Sequence, residues 1–64
     1  MSGFTEKLKE ILRQNGCLLV RQGKGDHEIW QSSISGKRFP VDSNIQSRHT
    51  ANAVLKQAGL PKAF

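Results

Sequence analysis

The stretch that decides the fold is CLLVRQGKGDHEIWQSSISGKRFPV, residues 17–41. It contains three short runs of strand-forming residues, at 17–22, 27–32 and 37–41, and a glycine-containing turn separates each run from the next. Runs of this length are too short for helices, and strands joined by such short turns lie antiparallel. We therefore predict a three-stranded antiparallel meander at the centre of the chain. Its first strand, at 17–22, is apolar enough that we expect it to be buried or half-buried.

An amphipathic helix is predicted on each side of the meander. In the first, over residues 4–14, apolar residues recur at helical spacing, and Gly16 marks the end because glycine readily closes a last helical turn. In the second, over residues 48–58, Ser47 is the natural N-cap and Gly59 follows the last turn. Two apolar helix stripes and one sheet face can bury each other. The predicted fold is α+β, in the order α-β-β-β-α, with the sheet packed on two helices. Residues 61–64, after the second helix, are expected to be loosely held.

The size and charge of the chain narrow the kind of ligand. We expect its 64 residues to form a single domain, 1–64, with a core too small to enclose a cofactor, so its site should lie on the surface. Ten Lys and Arg against five Asp and Glu give a net charge of +5. Excess positive charge concentrates polyanions, which makes nucleic acid the leading partner class, although an acidic protein would be attracted as well.

Other classes of protein fit the sequence poorly. The single Cys17 can form neither an internal disulfide nor a zinc site, and we expect it to be a small buried residue. No apolar segment approaches the length of a membrane span, and the basic beginning of the chain lacks the apolar run of a signal peptide. We therefore expect a cytoplasmic protein that uses no metal ion, no small-molecule cofactor and no membrane.

His27 is the candidate catalytic residue. Alternation along residues 27–32 puts Trp30 on the face that packs on the helices, which turns His27 to the open face of the sheet. Unperturbed imidazole titrates at about pH 6.5, so it can take the proton of a ribose 2′-hydroxyl or deliver one to a leaving 5′-oxygen. A lone histidine at the start of a strand is also a common surface residue, so the pattern leaves both interpretations open.

Basic side chains are expected around this histidine. Guanidinium and ammonium groups can bind phosphates and stabilise the extra negative charge of a transition state. We expect Arg21, Lys24 and Arg38 to surround His27, and Lys37 to be a further RNA contact.

The start of the second helix is unusually basic. Arg48 and His49 lie in its first turn, where acidic residues are normally preferred because of the helix dipole. A phosphate docked on the free backbone amides would offset that repulsion and would make both residues RNA contacts. An ordinary basic surface capped by Ser47 is the alternative, and the sequence favours neither interpretation.

Four short segments, in this order and spacing, resemble the HicA toxin family. They are NG at 15–16, LVRQ at 19–22, GDH at 25–27 and LKQAGL at 55–60. Together they extend the resemblance over about residues 4–60. It implies a fold like that of the double-stranded-RNA-binding domain, α-β-β-β-α.

The resemblance also implies a function. Members of the family are toxins of the mRNA-interferase type, metal-independent endoribonucleases that cleave mRNA and are neutralised by a HicB antitoxin. The essential histidine of the family matches His27. Two neighbouring positions depart from the usual family form: Asp26 stands where serine is common, and Glu28 where a second histidine is common. A non-catalytic RNA-binding module of the same fold is the alternative.

Overall fold

The computed structural model describes residues 3–64. The elements in chain order are α1 (Thr5–Gln14), β1 (Leu18–Gln22), β2 (His27–Gln31), β3 (Arg38–Asp42) and α2 (Arg48–Gln57). The strands form one antiparallel sheet in the order β1-β2-β3. The predicted α-β-β-β-α fold, like that of double-stranded-RNA-binding domains, is confirmed, and every element begins and ends within a residue of its expected bounds.

The core lies between the two helices and one face of the sheet. Trp30 and the two apolar residues of β3 alternate inward, as the strand pattern predicts. Cys17 is fully buried, which confirms it as a small core residue. The buried apolar residues are Leu8, Leu12, Cys17, Trp30, Phe39, Val41, Ile45, Ala51, Val54, Leu55 and Ala58.

Both helices end where the sequence predicts, and the second is capped as expected. The Ser47 hydroxyl accepts a hydrogen bond from the backbone amide of His49 at 3.1 Å, which satisfies one of the free amides at the start of α2. Gly16 and Gly59 have φ values of +83° and +81°, the left-handed conformation that closes a helix at little cost only in glycine.

The expectation that the first strand is buried or half-buried is wrong. Every residue of β1 is exposed, and Leu18 and Leu19 expose 70% and 51% of their surface. β1 is an edge strand, and the helices bury the inner face of β2 and β3 instead. An apolar run predicts a strand from its composition alone, but its burial depends on which strands the helices cover.

β1 also contains a bulge that the sequence did not predict. Leu19 pairs with Trp30 and Arg21 pairs with Ile29, so Val20 is an extra residue in the ladder. One extra residue reverses the side of the sheet to which the following side chains point. Arg21 therefore shares the outer face with Ile29. Without the bulge, Arg21 would lie on the same face as Leu19, which is the face of Trp30.

Residues 61–64, which the sequence predicts to be loosely held, are fastened to both helices. The Asn52 side chain accepts from the backbone amides of Ala63 and Phe64 and donates to the carbonyl of Phe64, at 3.1–3.2 Å. The Phe64 ring packs edge-to-face on Phe4 with centroids 5.3 Å apart. The error arose because both contacts join residues far apart in the sequence.

A polar clamp ties α1 to β2. The Glu28 carboxylate accepts a hydrogen bond from the Trp30 indole at 3.0 Å and lies 3.1 Å from the Lys9 ammonium. The hydrogen bond from Trp30, reinforced by Lys9, lowers the pKa of Glu28 below the usual 4.5. Arg13 lies 5.9 Å from the centre of the Trp30 ring, within cation–π range.

The lowered pKa of Glu28 predicts a pH-dependent contribution to stability. A carboxylate whose pKa is lower in the folded state stabilises the fold above its unfolded pKa, and the contribution is lost as the pH falls through the folded value. We expect Glu28→Gln to lower the free energy of unfolding by about 1 kcal/mol at neutral pH. The difference from wild type should shrink in acid below pH 4.5.

Urea denaturation over a pH series measures this difference. Glu10→Gln, at an exposed position of α1, is the matched control and should be nearly neutral at every pH. Equal effects of the two substitutions would show that the clamp contributes nothing.

Candidate functional site

His27 begins β2 on the open face of the sheet. Its side chain is 51% exposed, whereas Trp30, on the opposite face of the same strand, is buried. The predicted orientation of the strand is therefore confirmed. Ile29, which shares the open face, is half-buried, so His27 is the more accessible of the two.

The turn before β2 holds the backbone of His27 from both sides. The His27 amide donates to the Lys24 carbonyl at 3.2 Å, and the His27 carbonyl accepts from the Gly23 amide at 2.7 Å. The Gln22 side chain donates to that same carbonyl at 3.1 Å. These three hydrogen bonds fix the position of the His27 backbone, although its ring lies at the surface.

Each nitrogen of the His27 ring faces an oxygen. Nδ1 lies 3.3 Å from the Lys24 carbonyl, and because a carbonyl can only accept, this contact requires the proton on Nδ1. Nε2 lies 3.9 Å from a carboxylate oxygen of Asp42. The ring direction is thus set through Nδ1, and Nε2 is left at the open surface beside a carboxylate.

Asp42 is the residue of this site that sequence reasoning missed. It pairs with His27 across β2 and β3, it is 47% exposed, and its other carboxylate oxygen accepts from the Asn44 amide at 3.4 Å. The signal was present, because in an antiparallel meander the end of the third strand lies beside the start of the second. The predicted third strand ended at residue 41, which left Asp42 outside it.

The two positions that depart from the usual family form do not contact the His27 ring. Glu28 points to the helix layer, where it binds Lys9 and Trp30. Asp26 is exposed, and in the described part of the chain its carboxylate forms no ion pair. The carboxylate that faces His27 is therefore neither of them.

The basic residues of the sheet divide between its two ends. Arg21 and Lys24 lie at the end where β2 begins, close to His27 in the strand register and in the turn. Arg38 pairs with Gln31, four residues along β2, which is roughly 13 Å from His27 at the usual strand rise. Lys37 precedes it. The structure therefore does not bring Arg38 and Lys37 next to His27.

A second basic surface lies on α2. Arg48 and His49 are exposed in its first turn, which contains no acidic residue. Residues 43–64 contain three Lys and Arg and no Asp or Glu, a signal visible in the sequence but overlooked. A groove runs along the outer side of the helix. It is lined by His49, Asn52, Ala53, Lys56, Leu60 and Lys62.

Among residues 3–64, no group of three or more His, Cys, Asp or Glu side chains is placed to hold a metal ion. No helix in this part of the chain combines the length and the apolar composition that crossing a membrane requires.

Fold and site together define a small basic domain with a fold like that of double-stranded-RNA-binding domains and a half-exposed histidine beside a carboxylate on its open face. Residues 5–60 match the model of a family described as the HicA toxin of bacterial toxin–antitoxin systems. The chain belongs to this family and is a toxin of a toxin–antitoxin system. Comparison with curated proteins and with solved structures gave no match.

The geometry predicts that the His27 ring contributes little to the fold. It is half exposed, and its two contacts, at 3.3 Å and 3.9 Å, are long. We expect His27→Ala to change the free energy of unfolding by less than about 1 kcal/mol. Urea denaturation beside wild type measures this, and a loss of several kcal/mol would show that His27 has a structural role instead.

Proposed function

We propose that this toxin is an endoribonuclease of the mRNA-interferase type that acts in the cytoplasm as a single domain, with His27 as its catalytic acid/base. The observation that carries the proposal is the His27 ring, oriented through Nδ1 and presenting Nε2 at the open face. Membership of the HicA toxin family supports it. An imidazole held in this way is the group that general acid–base catalysis near neutral pH requires.

The proposed reaction is an internal transesterification of the RNA strand. The 2′-oxygen loses its proton and attacks the adjacent phosphorus, and the bond from phosphorus to the 5′-oxygen breaks. The products are a 2′,3′-cyclic phosphate and a free 5′-hydroxyl. The steps are proton transfers between RNA and side chains, and His27 carries out one of them; none requires a metal ion.

Basic side chains would bind the phosphates of the same strand. Arg21 and Lys24 are assigned to the scissile phosphate, since both lie at the His27 end of the sheet. Lys37 and Arg38 are assigned to a phosphate farther along the RNA. Guanidinium groups suit this task because they donate two parallel hydrogen bonds to phosphate oxygens.

Arg48 and His49 would contact the RNA from the helix layer. Their surface has no acidic residue in the first turn of α2, so the helix dipole adds to their positive potential. Ser47 already occupies the His49 amide, which leaves the remaining free amides for a phosphate.

The proposed neutralising partner is a HicB-like antitoxin. The family assignment supports an antitoxin partner, and the net charge of +5 suits an acidic surface. A shared surface would explain neutralisation, because an antitoxin bound over the open face would keep RNA from His27. Purified antitoxin that bound the toxin and left cleavage intact would contradict it.

A non-catalytic RNA-binding module is the second candidate, supported by the same fold and charge. Both candidates bind RNA with a strong dependence on salt, so affinity does not separate them. Strand scission does.

The first prediction of the proposal concerns cleavage. We expect wild type to cut mRNA and His27→Ala to lose roughly 10²- to 10⁴-fold in rate, because one proton transfer is no longer assisted. A 2′-deoxy substitution at the cut position should block cleavage, since the attacking oxygen is absent. Gel analysis of a single message, with end-group mapping, measures both results.

Gln14→Ala, an exposed change on α1 away from the sheet, is the control and should cut like wild type. Cleavage by His27→Ala at the wild-type rate would refute the assignment of His27. Intact message with folded wild type would leave the binding module as the function.

A second prediction concerns phosphate binding. Each cation that contacts a phosphate of single-stranded RNA adds about 0.7 to the slope of log affinity against log salt. We expect Arg21→Gln, measured on the His27→Ala background so that RNA stays intact, to reduce that slope by this amount. Lys7→Gln, an exposed change on α1, removes the same charge and should leave the slope unchanged. Equal slopes for both variants would remove Arg21 from the RNA contacts.

A further inference from the structure

Cleavage of RNA by its own 2′-hydroxyl needs two proton transfers. One group removes the proton from the 2′-oxygen while another delivers a proton to the 5′-oxygen that leaves. A single imidazole cannot do both at the same moment, so His27 needs a partner that can accept or donate a proton close to it.

The arginines near the site do not supply a base. Arginine stays protonated in proteins, so Arg21 can bind a phosphate but cannot accept a proton. Arg38 also lies roughly 13 Å from His27 along the sheet. The Glu28 carboxylate is bound in the helix layer, and the carboxylate that faces the His27 ring among the described residues is that of Asp42, not that of Asp26.

Asp42 meets the geometric requirement. The strand register sets it directly opposite His27, on the same open face, so the two side chains remain neighbours as long as β2 and β3 are paired. Its Oδ1 is tied to the Asn44 amide at 3.4 Å, which leaves Oδ2 facing the ring, 3.9 Å from Nε2. Both side chains are about half exposed, 47% and 51%, so a ribose and its phosphate can reach them from solvent.

The charges of the pair fit one assignment of roles. The protonated His27 ring can donate from Nδ1 to the Lys24 carbonyl and from Nε2 toward Asp42. A protonated imidazole beside an ionised carboxylate is the arrangement in which the imidazole is ready to give a proton and the carboxylate ready to take one. The opposite assignment would require a neutral ring, protonated only on Nδ1, and a protonated Asp42 carboxyl.

We propose that Asp42 is the general base of this toxin and His27 its general acid. The Asp42 carboxylate takes the proton of the 2′-hydroxyl as the 2′-oxygen forms its bond to phosphorus. The bond from phosphorus to the 5′-oxygen breaks, and Nε2 of His27 gives its proton to that oxygen. One proton is taken up and one released, so the step balances without a further reagent. The inference rests on the proposed function, because it assigns roles within the same reaction.

Asp42→Asn is the first test. Asparagine has the same shape and keeps an oxygen for the Asn44 amide, but it cannot accept the proton. With a short RNA, we expect the variant to lose roughly 10²- to 10⁴-fold in kcat with no rise in KM. The wild-type rate should show a bell-shaped dependence on pH, and the variant should lose the fall in rate on the acid side, which is the acid limb. Asp42→Glu should retain part of the rate together with that limb. Asp26→Asn, which removes the same charge one residue before His27, should cut like wild type.

A substrate with sulfur in place of the scissile 5′-oxygen separates the two roles. A thiolate leaves without a proton donor, so His27→Ala should regain most of its rate on this substrate, whereas Asp42→Asn should stay slow. This comparison holds even if one variant proves less stable, because each protein is compared with itself on two substrates.

The opposite outcomes overturn the inference. If the sulfur substrate restored the rate of Asp42→Asn but not that of His27→Ala, the two roles would be reversed. If Asp42→Asn kept the wild-type rate and the wild-type dependence of rate on pH, Asp42 would have no part in the reaction. In the second case an inactive His27→Ala would leave the proposed function standing. Failure of folded wild type to cut RNA at all would refute both proposals together.

Discussion

Burial of Trp30 is the constraint on which the arrangement of the sheet depends. An indole removes roughly 200 Å² from water, worth about 5 kcal/mol, which is a large share of the stability of so small a domain. The side chains of a strand alternate, so fixing Trp30 inward fixes His27 outward. The Glu28 carboxylate satisfies the indole N–H, which removes the cost of burying that donor. The catalytic candidate is thus oriented by a core residue that it never touches.

Local patterns in the sequence were sufficient for the elements and for part of the site. Apolar spacing, the Ser47 cap and the two terminal glycines predicted both helices, because each of these signals acts within a few residues. Alternation around Trp30 predicted the exposure of His27 for the same reason. Glu28, in contrast, was read only as a replacement for a family histidine, although its partners lie on α1 and on the inner side of the sheet.

The features that escaped prediction all depend on contacts between distant residues. The pairing of His27 with Asp42 follows from the strand register, which has to be inferred from the whole predicted meander and not from a local pattern. The exposure of Leu18 and Leu19 depends on which strands the helices cover, and the attachment of residues 61–64 depends on Asn52 and Phe4. The expected position of Arg38 beside His27 was wrong in the same way, since the register places it roughly 13 Å from His27 along the sheet.

Because of the bulge at Val20, the face to which the last side chains of β1 point depends on the number of residues in the strand. The alternation of side chains between the two faces is shifted by one residue after the bulge. A deletion of that single residue would therefore exchange the surroundings of Arg21 and Gln22, while the net charge and every other side chain stayed the same. Variation in length at this one position is therefore a route by which such a domain could redirect its cationic surface without acquiring a new residue. Alignments of related toxins that score identity alone would treat that change as trivial, although it rearranges the electrostatic field over the open face.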